Sequence, residues 1–446
     1  MAIQADESAR EFVLRTVRER NVKFIRLWFS DILGNLKGFS LSPAQLEVAL
    51  EHGIGFDGAS IEGFARVDES DMVAVPDPST FAILPWRPEH PGVARIFADI
   101  YTPEGEPFDG DPRYVLRRNL QRAQELGYTF YVGPELEYYY FRGPDDPTPL
   151  DNGGYFDQMP LDVASDLRRE TILTLEEMGI EAEYSHHEVA PGQDEIVLRY
   201  TDALTMADNC MTYRLVVREI ARQHGVHATF MPKPITTENG SGMHTHQSLF
   251  RGEANAFYSA DDPNHLSPIA LNFIAGLLEH APAFTAITNQ WINSYKRLVP
   301  GYEAPVYLTW AHRNRSDLIR IPRVPPSNPE AARLEYRAPD PACNPYLAFS
   351  VMLAAGLDGI ERNLQPSDPL NENAFGMSGA QRAEMGIGEL PRSLHEAILL
   401  TEKSDLVRDA LGDHIFNSFI ENKRIEWEAF RAHVTDFEID RYLQTL

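Results

Sequence analysis

The chain has 446 residues, 43% of them hydrophobic and 24% charged, the balance of a globular protein too long for one simple core. Acidic residues outnumber basic ones 66 to 40, a formal charge of -26. That excludes a nucleic-acid binder built on clustered Lys and Arg, and it suits metal ions or cationic substrates. The two cysteines, Cys210 and Cys343, stand far apart and give neither a disulfide framework nor a CxxC metal motif. The N-terminus, MAIQADESAREF, has no apolar signal core, and the longest apolar run, YLAFSVMLAAGL (346–357), is far short of a membrane span. A cytoplasmic protein is expected, in which the Asn-x-Ser matches at Asn239 and Asn314 carry no sugar.

Residues 7–21 have helical spacing. KFIRLWFSD (23–31) reads as a strand with Phe24, Arg26 and Trp28 on one side, and ILGNLKGFSL (32–41) as a turn and a second strand. SPAQLEVALEHG (42–53) is a short helix with Ser42 as N-cap and Gly53 as stop. GIGFDG (53–58) matches GxGxxG, but it follows a helix rather than a strand and opens no helix, so it is no dinucleotide loop. No GxxxxGK[ST] loop occurs either, which leaves phosphates to metals and arginines. After strand-like VARIFADIY, the stretch YTPEGEPFDGDP (101–112) is rich in Pro, Gly and Asp and marks a domain boundary, dividing 1–105 from 106–446. A helix over 111–127 and the strand GPELEYYYF (133–141) follow. Helices are expected over 162–179 and 202–225, strands over 195–200, 243–250 and 332–338, and mainly helix over the last 60 residues. Strands bearing Glu and Arg between long helices predict a catalytic domain whose sheet is polar on one face.

Those strands carry the chemistry. Glu135 and Glu137 sit two apart, so a strand turns both carboxylates the same way, while the aromatic neighbours argue against exposure. SHHEVAPGQDEIVLRY (185–200) holds Glu188 and Glu195 on either side of a turn. MHTHQSLF (243–250) puts His244, His246, Ser248 and Phe250 on one face, after a loop, NGSG, whose glycines admit close backbone approach. ARLEYRA (332–338) does the same with Arg333, Glu335 and Arg337. Singly, each pattern is commonplace: a strand His is usually just hydrogen-bonded, HHE is not HExxH, and Arg-x-Glu-x-Arg is most often an ion-pair ladder. Together, five Glu and one His exceed what a structural ion-pair cluster holds without an Arg beside each. Carboxylates with one His suit Mg²⁺ or Mn²⁺ rather than Zn²⁺. Arg297 and the guanidinium-rich RNRSDLIRIPR (313–323) offer phosphate and carboxylate binding. The residues alone predict a Mg²⁺- or Mn²⁺-dependent enzyme acting on ATP and a carboxylate, with ions in pairs for triphosphate chemistry.

The motifs FDGASIEGF, GPELEYYYF, SHHEVAPGQDEI, ATFMPKP, NGSGMHTHQSLF, NSYKRLVPGYEAP, NRSDLIRIP and EYRAPDPACNPYL, in this order over nearly the whole chain, resemble glutamine synthetase of the bacterial type I class. The resemblance implies an α+β fold: an N-terminal β-grasp-like domain (1–105) and a larger catalytic α/β domain (106–446) of the glutamine synthetase/guanidino kinase type. It implies a homo-dodecamer of two stacked hexamers, the small domain of one subunit closing the site of the next. Two or more Mg²⁺ or Mn²⁺ ions are implied, one on Glu137, Glu188 and Glu195, another on Glu135, His244 and Glu335. ATP would be held at Glu183, His246, Ser248 and Arg333. Arg315 and Arg320 would stabilise the γ-phosphoryl group as it passes to substrate. Arg297, Arg337 and the Asn239–Gly240 backbone would hold glutamate. The implied reaction ligates ammonia to the γ-carboxylate of L-glutamate through γ-glutamyl phosphate, giving L-glutamine, ADP and phosphate. Asp57, with Asp71 nearby, would draw ammonium in from the adjoining subunit. Glu303, in the flap PGYEAP, would close the site and take a proton from the nascent amide.

Departures from the family pattern carry expectations of their own. Ala59 stands where a Ser is usual, and RVPPSNPEAA (323–332), where the nucleotide base is contacted, is Pro-rich and slightly long. NENAFGMSGAQ (371–381) lacks the Tyr that longer members have adenylylated, so no such control is expected. TDALTMADN, HTHQSLF and NQWINSYKRL resemble an actinobacterial side branch, some of whose members use polyamines or other amines as acceptor. The intact flap and Asp57 favour ammonia, with γ-glutamylpolyamine synthesis as the alternative. A non-catalytic metabolite sensor is disfavoured because every expected metal ligand and Arg is present, and a guanidino kinase because the flap motif argues against it.

Overall fold

The structure is a computed structural model that describes residues 7–61, 63, 71–87, 92–312, 317–325, 327–370 and 372–446. The first sheet is made of Val22–Ser30 (β1), Leu36–Leu41 (β2), Ile54–Asp57 (β3), Asp71–Pro76 (β4), Ala82–Ile83 (β5) and Gly92–Tyr101 (β6), in the order β2-β1-β6-β4-β3, with β5 beside β6. β1 and β6 run parallel and the other pairs antiparallel. Two parallel neighbours require a crossover, and the helix Pro43–His52 lies within it. Ser42 occupies the N-cap of that helix without a side-chain bond, and Gly53 ends it at φ 70, donating its N–H to Ala49. The GIGFDG segment that follows is strand β3, paired to β4, and makes no phosphate loop.

Alternation divides β1 as expected. Ile25, Leu27 and Phe29 enter a small core with Val13, Val17, Leu46 and Leu50 from two helices. Phe24, Arg26 and Trp28 take the other face, where Phe24 stays exposed and Trp28 packs edge-on against Phe97, 5.7 Å away, in the larger core.

The second sheet has the order β15-β16-β17-β13-β7-β10-β9. Its strands are Thr129–Gly143 (β7), Asp146–Pro149 (β8), Ala182–His187 (β9), Gln193–Leu198 (β10), Thr201–Asp202 (β11), His227–Thr229 (β12), Met243–Arg251 (β13), Ala254–Asn255 (β14), Trp310–Ala311 (β15), Ile319–Arg320 (β16) and Leu334–Tyr336 (β17). Two helices begin where an aspartate caps them: Asp111 accepts from Arg113 N–H at 2.9 Å ahead of Pro112–Glu125, and Asp202 from Thr205 N–H at 3.0 Å ahead of Ala203–Gln223. Pro268–Thr288 is long and apolar enough to cross a membrane, yet it packs inside this protein against Pro345–Glu361. Their contact needs glycine: a Cβ on Gly276 would lie 2.1 Å from the Ala355 carbonyl oxygen, and one on Gly359 2.1 Å from that of Asn272.

One guanidinium ties the two sheets together. Arg113, buried at the start of its helix, donates Nε and Nη2 to Asp208 at 3.1 and 2.9 Å, Nη2 to Asp77 at 2.9 Å and Nη1 to Asp99 at 2.5 Å. Asp77 and Asp99 come from the first sheet's region and Asp208 from Ala203–Gln223, where Tyr346 also donates to it at 2.6 Å. Removing the shared cation leaves the buried Asp208 without a guanidinium, while Asp77 and Asp99 keep only the half-exposed Arg117, which donates to them at 2.7 and 3.2 Å. Arg113→Met is expected to cost about 3–5 kcal/mol of unfolding free energy, measured by urea titration. An effect below about 1 kcal/mol, the range of a surface pair, would mean that the junction does not depend on it.

Candidate active site

Register builds the site. β7 is central, and its neighbours place His244 opposite Glu135, and Glu195 opposite Glu137. Further out, Glu335 pairs with His246 and Arg320 with Glu335. All point to the same side, because side chains two apart on a strand share a face and directly opposed residues do too. The intervening Leu136, Tyr138 and Ile196 are buried in the core on the other side, where Tyr138 meets Tyr140, Tyr213 and Phe230. The sheet is therefore polar on one face and aromatic on the other.

The polar face floors a cavity of about 290 Å³. Glu135, Glu137, Glu188, Glu195, His244, His246, Glu335, Arg297, Arg320, Arg333 and Arg337 all line it, together with Asn239, Gly240 and Glu303. Two groups of potential ligands form on its floor. Glu135, His244 and Glu335 bring ligand atoms within 4.8 Å of one another, as do His186, Glu188 and Glu195. The first is the trio expected together. In the second, His186 stands with Glu188 and Glu195, at 3.4 and 3.7 Å, while Glu137 lies between the groups. Glu137 Oε1 is 3.7 Å from His244 Nδ1, and its Oε2 accepts from Gly242 N–H at 2.8 Å and from Gln193 at 3.1 Å.

A second cavity of about 280 Å³ adjoins the first and shares Glu135, Tyr184, His246 and Arg333 with it. Glu183, Ser248, Tyr131, Val197 and Leu198 line it, as do Asn328 and Glu330 of the Pro-rich loop. At the junction, His246 Nε2 is 2.9 Å from Glu135, and Arg333 Nε donates to His246 Nδ1 at 3.3 Å. Arg297 is pinned by carbonyls, donating to Ala338 at 2.6 Å and to Arg337 at 3.1 Å. Glu303 sits at the rim with φ 55, its carboxylate 3.5 Å from Asn239 Nδ2.

Two expected residues lie elsewhere. Asp57 and Asp71 face each other across β3 and β4 in the first sheet and do not line the cavity of their own chain. Arg315 is outside the described residues. Several lining residues fall outside the motifs' assigned roles. Gln193 shares the face of Glu195 by alternation, so spacing is enough to find it. His186 is visible in SHHE but carries too weak a pattern; Phe156 and Tyr184 stack on its ring at 4.6 and 5.9 Å. Tyr155 gives no sequence signal, and Tyr302 stands in the flap motif PGYEAP without a role assigned to it.

Residues 21–103 match the family model for the glutamine synthetase beta-Grasp domain, and residues 109–442 that for the glutamine synthetase catalytic domain. The chain belongs to the glutamine synthetase family. Glutamine synthetase of Mycolicibacterium smegmatis is 54% identical, over 97% of this chain and 99% of its own. Those of Thermotoga maritima and Methanosarcina mazei are each 51% identical, over 97% and 98% of this chain and 99% and 98% of their own. Among solved structures, a GmaS/ADP complex superimposes with a TM-score of 0.88 at 32% identity, covering 97% of this chain and 99% of its own. Apo GmaS gives 0.87 at the same identity and coverage.

Members of this family use ATP and divalent metals, and the electrostatics of this site fit a hard cation. Burial first, then Glu137 and Glu195, push the Glu188 carboxyl well above the usual carboxylate range. Burial, then Glu135, Glu137 and Glu335, do the same to Glu195. On the other side of the floor, burial also works against the charged forms but loses. His246 and His244 hold Glu135 well below the usual range. Arg337, then the same histidines, bring Glu335 down to about 2, with Arg337 and Arg320 both donating to its carboxylate. Without a cation the Glu188 and Glu195 side is therefore forced toward protonation, and a bound divalent ion would relieve it. The donor set, carboxylate oxygens with one or two imidazoles, suits Mg²⁺ or Mn²⁺.

A carboxyl raised above its ordinary 4.5 holds its proton more tightly when folded, so it stabilises the metal-free fold most at acid pH. That stability is lost as pH rises through the raised value. Metal binding must expel these protons, so Mn²⁺ affinity should rise with pH, and calorimetry in two buffers of different ionisation enthalpy should register proton release. Glu195→Gln should raise the melting temperature of the metal-free protein at pH 8 and weaken Mn²⁺ binding more than about tenfold. A Gln variant no more stable than the parent in EDTA would refute the account of crowded charge.

Proposed function

We propose that the two joined cavities carry out ATP-dependent synthesis of L-glutamine from L-glutamate and ammonia through γ-glutamyl phosphate. The single observation that carries this assignment is the junction at Glu135, His246 and Arg333. There, a cleft with apolar walls and the size for a nucleotide ends on a carboxylate floor beside an arginine-lined recess. The family is one of ATP-dependent carbon–nitrogen ligases, which fixes the reaction class.

The places of the described residues support the roles assigned to them. Val197, Leu198 and Tyr131 give the adenine a dry wall, and Glu183, Ser248 and Arg333 give the ribose and phosphates polar partners. Glu135, His244 and Glu335 would hold one Mg²⁺ or Mn²⁺, and Glu137, Glu188 and Glu195, with His186 beside them, another. Ions there supply positive charge against the triphosphate and the crowded carboxylates. Arg297 and Arg337, with the Asn239–Gly240 backbone, seat glutamate with its γ-carboxylate toward the nucleotide. Arg320, joined by Arg315, meets the charge of the phosphoryl group in transfer. The transfer matters because a bare carboxylate does not react with an amine, whereas an acyl phosphate has a leaving group. Glu303 accepts the proton that the attacking nitrogen must lose.

Asp57 and Asp71, remote from their own chain's cavity, act in this reading from a neighbouring subunit. That requires an oligomer, and we assign a homo-dodecamer of two stacked hexamers in the cytoplasm, with the domain boundary between residues 105 and 106. Ammonia is the acceptor.

Phosphate release from ATP, dependent on glutamate, should appear with ammonium and not with putrescine or spermine; release with a polyamine alone refutes the assigned acceptor. Glu135→Ala and Glu137→Ala should each cut turnover more than about 100-fold while the oligomer persists in sedimentation. Parental turnover in either would remove the metal assignment.

A further inference from the structure

Lys233 lies in MPKP (231–234), between β12 and the Asn239–Gly240 loop, and has no part in the roles assigned to the site. Its side chain is buried. One side chain grips its backbone: Lys233 N–H donates to Asn293 Oδ1 at 2.7 Å, and Asn293 Nδ2 donates back to the Lys233 carbonyl at 3.0 Å. Asn293 immediately precedes Ser294–Arg297, the short helix that carries Arg297. The Lys233 ammonium donates to the carbonyl of Glu238, one residue before Asn239. It also lies 3.6 Å from the centre of the Tyr302 ring.

These contacts join three pieces of the site that are separate in sequence: the glutamate loop, the Arg297 helix and the flap. Tyr302 is the flap residue beside Glu303, whose backbone is held at φ 55, a conformation that residues other than glycine seldom adopt. A buried ammonium needs partners for all its protons, and a π face serves when water is excluded. If the flap lifted, the ammonium would lose the ring, while its carbonyl partner and its Asn293 clasp stayed in place.

We propose that Lys233 is a positioning residue that latches the flap shut over γ-glutamyl phosphate, so that ammonia rather than water reaches it. The inference rests on the function proposed above. In the productive step the nitrogen of ammonia bonds to the acyl carbon, the acyl carbon–oxygen bond breaks, phosphate leaves with its electron pair, and Glu303 takes the surplus proton. In the leak, water attacks the same carbon and returns glutamate and phosphate, so ATP is spent without product. The latch acts on the ratio between the two routes and not on nucleotide binding.

The test measures glutamine formed per phosphate released, with glutamate, ATP, Mg²⁺ and ammonium, in the parent and in Lys233→Met, Tyr302→Leu and Tyr302→Phe. Amide exchange over residues 298–304 is followed in parallel. Lys233→Met and Tyr302→Leu should each lower the ratio at least about threefold and speed flap exchange by a similar factor, with KM for ATP unchanged. Combining them should add nothing further, and Tyr302→Phe, which keeps the ring, should keep the parental ratio. The parental ratio and parental exchange in both Lys233→Met and Tyr302→Leu overturn the latch, whatever happens to the overall rate. So does a loss of rate with the ratio intact, the mark of a purely structural lysine. Tyr302 is partly exposed, so Tyr302→Leu carries the test if Lys233→Met does not fold. A parent that makes no glutamine refutes the proposed function alone, and flap exchange in Lys233→Met then decides the latch.

Discussion

Four carboxylates on one face of one sheet, and Glu188 in the turn just after β9, crowd together, and most of the molecule's organisation answers to that. A sheet is a rigid way to hold like charges close together, because hydrogen-bonded neighbours cannot drift apart to relieve the repulsion. The cost is visible in the opposite shifts of the two ends of the floor. Glu135 and Glu335, beside imidazoles and guanidiniums, are held ionised. Glu188 and Glu195 are buried among other carboxylates and are driven toward the protonated form. A site poised in this way stores affinity for a divalent cation in place of stability in its absence. The aromatic back of β7 supports the arrangement: Tyr138 and Tyr140 anchor the strand in the core.

The chemistry is then arranged around that floor by elements remote in sequence. The second cavity and the arginine-lined recess adjoin over it, sharing Glu135, Tyr184, His246 and Arg333. Residues 238–240, the helix Ser294–Arg297 and the flap converge at the rim, and Lys233 touches all three. The region of the first sheet joins the larger domain through the buried Arg113, which bonds Asp77 and Asp99 on one side and Asp208 of the helix Ala203–Gln223 on the other. A firm joint of that kind suits a small domain whose exposed acidic pair, Asp57 and Asp71, is assigned to work on a neighbouring subunit's cavity.

Much of the site is legible in the sequence because β-strand alternation is a strict rule. Glu135 with Glu137, His244 with His246, and Arg333 with Glu335 can each be assigned to a shared face from spacing alone. Element boundaries are less legible: the strand expected over 332–338 is only Leu334–Tyr336, and that over 195–200 begins at Gln193. Hydrogen-bond partners, not propensity, decide where pairing starts and stops. His186 shows the other limit. Its motif is visible, yet what draws it to Glu188 and Glu195 is the pairing of β9 with β10, and no spacing rule in the chain announces that pairing.

The sequence by itself determined the reacting groups: hard oxygen donors in a repeated strand pattern, arginines for phosphate and carboxylate, and a family-ordered run of motifs that names the reaction class. Those are local properties, set by residue type and by a period of two. Only the tertiary structure decided which carboxylates and imidazoles stand together, that the second cavity adjoins the carboxylate floor, and that a lysine in MPKP reaches the flap. Each of these depends on strand register or on loops meeting across long stretches of chain. Such pairings are chosen by packing of the whole core, and no local pattern in the sequence encodes them.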